Sequence, residues 1–400
     1  MPVSKKPGAV HPAFAGHGGL SMKLLCRALP GLIACLLLVA SGLACSRPAV
    51  QPAATATVPA VVIVAAAEQA PTATSLTHDT DVSPPDLASP FRQVDAIRLW
   101  GQKGDRDGEF NFPSAVAVDL RGNVYVADSL NSRVQKFAPG GQFLGKWGSA
   151  GGGPGQFVAP FGIAVDSVGN VYVADTGNER IQKFTSEGSF LLMWGEPGDG
   201  EGQMSHPSGV AVDARGIVYV ADTGNSRVQT FTDDGSFLRE WGSRGEAAGE
   251  FRAPWAVATS LDGTVFVADT NNDRIQAFTS DGSYIGGVGN RGIWIGEFDD
   301  PRGVAVDIYG NVYVADTDNH RVQVIEHEGG MVTWGSGGDF NGDFRGPRGV
   351  AVDASGHVYV ADSSNHRIQV FAPIWSRNTT KGPEQRSDAR AGTQKAARST

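Results

Sequence analysis

An aspartate and an arginine five residues apart recur six times in this 400-residue chain. The pairs are Asp128 with Arg133, Asp175 with Arg180, Asp222 with Arg227, Asp269 with Arg274, Asp316 with Arg321, and Asp362 with Arg367. A carboxylate beside a guanidinium could do acid–base chemistry. A pair that occurs in every copy serves structure better, because a charge-assisted contact across a tight turn pins the two strands that the turn joins. The repeated Asn131, Asn178, Asn225, Asn272, Asn319 and Asn365 fit such turns, since Asn tolerates left-handed backbone. Chemistry particular to this chain must therefore come from residues that the repeat leaves free.

Two variable positions stand out. The residue after the repeated proline is Ser114, Phe161, Ser208, Trp255, Arg302 and Arg348 in turn. The residue before the repeated arginine is Ser132, Glu179, Ser226, Asp273, His320 and His366. Arg302, Arg348, His320 and His366 thus come from the last two copies, and two guanidiniums with two imidazoles suit a carboxylate, a phosphate or an acidic peptide. Phe161 and Trp255 are large where their counterparts are small or charged. Trp255 also lies in the most divergent copy, where Thr259-Ser260 replaces Val-Asp. These six side chains are the expected ligand-binding set. No catalytic residue is expected, because no G-x-S-x-G, phosphate-loop or H-E-x-x-H motif occurs. Metal signals are partial. Asp339-Phe340-Asn341-Gly342-Asp343 and Asp105-Arg106-Asp107-Gly108-Glu109 alternate oxygen ligands as a calcium loop does, but neither is complete. For zinc, His320 and His366 lack a third ligand. The expectation is no cofactor and no metal, with Ca or Zn as the ions to test for.

These residues are carried by a segment V-Y-V-A-D-S/T-x-N-x-R-V/I-Q-x-F, spaced about 47 residues apart, a period that marks a radial or stacked repeat. In the third copy Pro207–Asp213 is a continuous apolar run that suits a doubly buried strand. Val218–Ala221 is rich in β-formers. Arg227–Phe231 alternates polar and apolar, and Phe237–Trp241 follows an Asp234-Gly235 turn. Four antiparallel strands per copy predict an all-β, six-bladed β-propeller. The fourth-strand aromatic recurs at Trp100, Trp147, Trp194, Trp241 and Trp334, with Val288 in the remaining slot. Trp100 precedes the first full copy, and the last copy stops after Phe371. The N-terminal strand Ile97–Trp100 is therefore expected to complete the last blade and close the ring, which removes exposed sheet edges. The tryptophans are expected to pack between blades.

The P-x-G-V-A-V-D, G-N-V-Y-V-A-D and N-x-R-V/I-Q-x-F segments resemble the NHL repeat family over six copies. The resemblance implies a six-bladed propeller that acts as a binding platform. Relatives include ectodomains of bacterial sensors, RNA- and protein-binding ends of ubiquitin ligases, and a few lyases, whose metal residues do not map onto this chain.

The remainder is not repeat. Residues 1–45 hold a leader and, from Lys23, an apolar run Ala28–Ala44 that ends in small residues and Cys45. This is the layout of an export signal. Its end resembles a bacterial lipoprotein signal with lipidation at Cys45, although Gly42 stands where that motif has Leu. An uncleaved membrane anchor and ordinary cleavage are the alternatives, and each exports the domain. Residues 46–95 are an Ala/Pro/Thr-rich linker expected to be disordered. Residues 96–375 are the propeller, and 376–400 a basic tail expected to be disordered.

The propeller holds 21 basic and 35 acidic side chains, a net of −14. Nucleic-acid binding rests on Lys and Arg contacts to phosphates, so nucleic acid is an unexpected partner. Cys26, Cys35 and Cys45 all precede the repeats, so the ring has no thiol chemistry. The reading is an exported, membrane-tethered monomer in a bacterial cell envelope that binds a protein, a peptide or a small anionic ligand. It touches the membrane through its N-terminus only. A metal-dependent lyase or lactonase at the channel mouth and a structural envelope protein are the other readings.

Overall fold

The computed structural model describes residues 96–372; the leader, the linker and the tail, Cys45 included, lie outside the described residues. Six four-stranded antiparallel sheets form six blades. Blade three shows the pattern: Pro207–Val212, Val218–Asp222, Arg227–Phe231 and Phe237–Trp241 pair in chain order. Blade six is made of β22 (Pro347–Val352), β23 (Val358–Asp362), β24 (Arg367–Phe371) and, on its outer edge, β1 (Arg98–Trp100). Leu99 pairs with Gln369 and Trp100 with Ile368, so the first strand of the ring closes the last blade.

The first strands of neighbouring blades stand side by side around a narrow channel. Gly303 shows why small residues recur there, since a Cβ would lie 2.2 Å from the Arg348 carbonyl oxygen of the next blade. Further out, each fourth-strand tryptophan packs on the third-strand phenylalanine of the following blade. Ring centroids are 5.7 Å apart for Trp100–Phe137 and 5.6 Å for Trp334–Phe371. At the junction of blades four and five both partners are lost together: Val288 replaces the tryptophan and Ile325 the phenylalanine, and both pack in one apolar cluster. A belt of hydrogen bonds also runs around the ring. The Ser or Thr after each repeated Asp donates to the carbonyl of the next blade's proline, as Thr223 does to Pro254 at 2.6 Å and Ser363 to Pro113 at 2.7 Å.

The third strand departs from its sequence pattern. Arg227–Phe231 alternates polar and apolar, yet all five residues are buried. The polar ones are consumed inside. Asp222 Oδ2 accepts from Arg227 Nε at 2.8 Å, Asn225 Nδ2 at 2.9 Å and Gln229 Nε2 at 3.1 Å, while Oδ1 accepts from the Ser205 backbone N–H at 2.7 Å. The Arg227 fork then donates to the carbonyls of Asp199, Gly200 and Gln203, which fastens the inter-blade loop to the blade. The same ion pair closes in all six blades at 2.7–2.8 Å.

The divergence of blade four has a local reason. Elsewhere a first-turn Asp accepts from a second-strand Tyr hydroxyl, as Asp213 does from Tyr219 at 3.2 Å. In blade four Ser260 and Phe266 replace both members, and Ser260 donates to Asp262 and the Thr264 carbonyl instead.

Candidate functional site

The residues after the repeated prolines begin the first strands, so the ring geometry alone brings them together. Ser114, Phe161, Ser208, Trp255, Arg302 and Arg348 line one end of the channel, hereafter the upper mouth, around a cavity of about 70 Å³. A water molecule occupies roughly 30 Å³ in the liquid. The space therefore suits the end group of a ligand, not a whole drug-sized molecule of about 300–1,000 Å³.

The two serines are committed to structure. Ser114 Oγ donates to the Phe161 carbonyl at 2.7 Å, and Ser208 Oγ to the His206 carbonyl at 3.1 Å. Phe161 and Trp255, two blades apart, meet edge to face with centroids 5.4 Å apart at 81°. The Arg302 guanidinium lies over the Trp255 ring at 4.3 Å, a cation–π geometry. Its charge is already matched, because Nε donates to Asp300 Oδ2 at 2.5 Å. Asp318 lies close by, its carboxyl pushed up by burial and by the charges of Asp300 and Asp299.

Arg348 is different. Its guanidinium stacks on Phe112 at 4.5 Å. It is half-buried, and among the described residues it makes no hydrogen bond or ion pair. Burial, then the positive charge of Arg302, lowers its pKa to about 10 against the opposing pull of Asp300 and Asp318. It stays charged at neutral pH, with its N–H groups partly desolvated and making no hydrogen bond among the described residues.

His320 and His366 do not line this cavity. Each occupies a left-handed position after its turn, at φ 55°. From there the ring reaches the next blade. His366 Nδ1 accepts the Phe112 backbone N–H at 3.0 Å, and His320 Nδ1 lies 3.2 Å from the Gly346 backbone nitrogen. Glu179 and Asp273 do the same with the backbone N–H groups of His206 and Asp300. In these four blades the variable position is thus a latch to the next blade. The expected quadrant of two arginines and two imidazoles reduces, in geometry, to one unmatched guanidinium beside an aromatic pair.

Phe112 was missed by sequence reasoning. It precedes the repeated proline with φ 61°, where the other blades have Ala, His, Asp or Gly. A bulky aromatic where the other copies have a small or polar residue was the available signal.

The His366 latch needs a neutral acceptor nitrogen. Burial, then Lys103, lowers the His366 pKa from 6.5, against the opposing pull of Asp128 and Asp362. A depressed histidine contributes stability above its unfolded value and loses it as the pH falls. The expected result for His366→Ala is a lowered melting temperature at about pH 8 whose gap from the wild type narrows toward about pH 5. Strain from Ala at a positive φ is independent of pH, so the slope of the difference is the readout. A constant difference would remove the latch.

Among the described residues no group of three or more His, Cys, Asp or Glu side chains is placed to hold a metal ion, and no helix is long and apolar enough to cross a membrane.

Five segments, residues 110–137, 157–184, 204–231, 298–325 and 344–371, match the family model of the NHL repeat. The chain therefore carries NHL repeats, with matches in five blades where the resemblance covered six copies; the divergent fourth is the blade without one. Protein lin-41 of Caenorhabditis elegans is 46% identical over 50 residues, 12% of this chain but only 4% of that protein's length. Solved structures share the fold at low identity. A Bacteroides thetaiotaomicron protein of unknown function is 18% identical, covering 70% of this chain and 75% of its own, with a TM-score of 0.55. An auxiliary nutrient binding protein of Bacteroides ovatus is 14% identical over 70% of this chain and 77% of its own, at 0.53. A gluconolactonase of Xanthomonas campestris is 16% identical over 70% of this chain and 97% of its own, at 0.51.

Proposed function

We propose that this NHL-repeat propeller is a binding platform whose upper mouth captures the carboxylate end of a peptide, protein or small acid. The observation that carries this reading is Arg348. A half-buried guanidinium without an acceptor is costly to keep, and a carboxylate that received two of its N–H groups would match it. Arg302 holds Trp255 in place while its charge is spent on Asp300, so a single negative charge suits the mouth better than a dianion. The small cavity admits the carboxylate and a carbon or two, with the rest of the ligand leaving over Phe161 and Trp255.

A short peptide with a free C-terminus and its amide, titrated calorimetrically against the full chain, test the reading. The acid is expected to bind and the amide to bind at least about tenfold more weakly, the ratio for about 1.4 kcal/mol. Arg348→Ala should abolish the preference, and Arg302→Ala should weaken it less. Equal binding of acid and amide, or an unchanged Arg348→Ala protein, would sink it.

The same reading places the ring outside the cytoplasm, tethered through residues 23–45. The support is the basic, apolar and small-residue order of that segment. Cell fractionation tests this part: recovery of the full chain in the cytosol would end it.

A further inference from the structure

The face opposite the upper mouth carries the turns between first and second strands and between third and fourth strands. Its centre is apolar. Leu120 (77% exposed), Leu261 (74%) and Ile308 (50%) project from three first turns and rim a cavity of about 220 Å³ at the lower end of the channel. The carboxylates beneath them are consumed by the turns. Asp307, for example, accepts from the Tyr309 and Asn311 backbone N–H groups and from the Tyr313 hydroxyl. Next to Ile308, Tyr309 (66% exposed) forms one wall of a cleft of about 490 Å³ between blades five and six, together with Glu326 and Glu328.

These two glutamates lack the partners that blades two and three give the carboxylates of the same hairpin. In blades two and three the carboxylates of the last hairpin are met by a lysine of the preceding blade, Lys136 on Glu187 at 2.7 Å and Lys183 on Asp233 at 3.2 Å. The corresponding residues of blades three and four are Thr230 and Ala277, so blades four and five receive no lysine; in blade four Asp281 is taken up by Thr279 and the Ser283 N–H instead. Glu326 also stands where blades two, three and four have a threonine that binds its own turn, such as Thr232 to the Ser236 N–H. Among the described residues neither glutamate side chain has a hydrogen bond or an ion pair.

We propose that this lower face docks a basic polypeptide segment. An apolar side chain of the partner enters the mouth between Leu120, Leu261 and Ile308, and a Lys or Arg enters the cleft onto Glu326 and Glu328 beside the Tyr309 ring. An apolar centre flanked by unmatched charge is how a protein-binding patch is built, and the sign of the charge selects the partner. The same carboxylates repel an anionic bilayer.

The test uses the full chain and two synthetic amphipathic peptides with the same leucine face, one with lysines and the other with glutamates on the polar face, followed by fluorescence anisotropy. The lysine peptide is expected to bind and the glutamate peptide not. Glu326→Gln with Glu328→Gln should weaken binding about tenfold, as for a lost charge-assisted contact. Leu261→Asp should weaken it too, although it adds a negative charge, whereas Leu130→Asp on the opposite face should not. Arg348→Ala should leave this binding intact, which separates the two faces. Leu261 is exposed, and unchanged melting would show that its variant folds. Tighter or equal binding by Leu261→Asp would mean that bulk acidity alone attracts the peptide and would overturn the proposal. So would the absence of binding, or binding through Leu261 to zwitterionic lipid vesicles but to neither peptide.

Discussion

Replacing Asp222 by Ala is expected to destabilise the ring by about 3–5 kcal/mol, the usual cost of removing one partner of a buried ion pair. The carboxylate is fully buried and accepts four hydrogen bonds, from Arg227, Asn225, Gln229 and the Ser205 backbone. Without it the Arg227 guanidinium remains buried, with its terminal nitrogens still on the loop carbonyls and on the partly exposed Glu240 carboxylate at 2.6 Å, but its Nε unmatched. Asp222→Asn keeps the shape and loses the charge, so its loss should be smaller. The midpoint of urea denaturation of the full chain measures both. A loss for Asp222→Ala below about 1 kcal/mol, within the range of exposed pairs, would contradict the clamp.

Trp334 gives the second large effect, with an asymmetry that tests its cause. The side chain is 2% exposed and packs on Phe371 across a blade boundary. Trp334→Ala should cost about 3–5 kcal/mol through the cavity it leaves. Trp334→Phe should cost far less than its loss of volume suggests. The indole N–H of Trp334 is buried without a hydrogen-bond partner, as it is in Trp100, Trp147, Trp194 and Trp241. Removing an unsatisfied buried donor recovers about 1–3 kcal/mol. A loss for Phe as large as its missing volume alone predicts would show that the indole nitrogen is satisfied in solution.

Much of the architecture was legible because each copy restates it. Six copies of one pattern, a tryptophan before the first and no fourth strand after the last led directly to the β1–β24 closure. The strand bounds followed from turns at Asp-Gly and Asn. Burial of the third strand was not legible. Its arginine reads as the partner of the turn aspartate, but the loop carbonyls that consume the rest of its guanidinium and the glutamine lie 24–28 residues upstream, a separation no local pattern reports. The upper mouth was partly legible. Position alone placed Phe161, Trp255, Arg302 and Arg348 together. What each side chain spends its charge on was not, because Asp300 sits only two residues before Arg302 and reads as an ordinary loop acid. The histidines looked like ligands because imidazole is scarce in the turn. Their reach to the next blade's backbone depends on a left-handed φ that the residue type does not announce.

The pairing of β1 with β24 also sets a timetable. Arg98 finds its partner Val370 only after the intervening blades have been made. At about 5–20 residues per second, synthesis leaves the earlier segment waiting for tens of seconds. Contacts between such remote positions form late, since a long loop must be drawn together before they give anything back. Until then the nascent polypeptide is an unsealed crescent with a bare flank at each end.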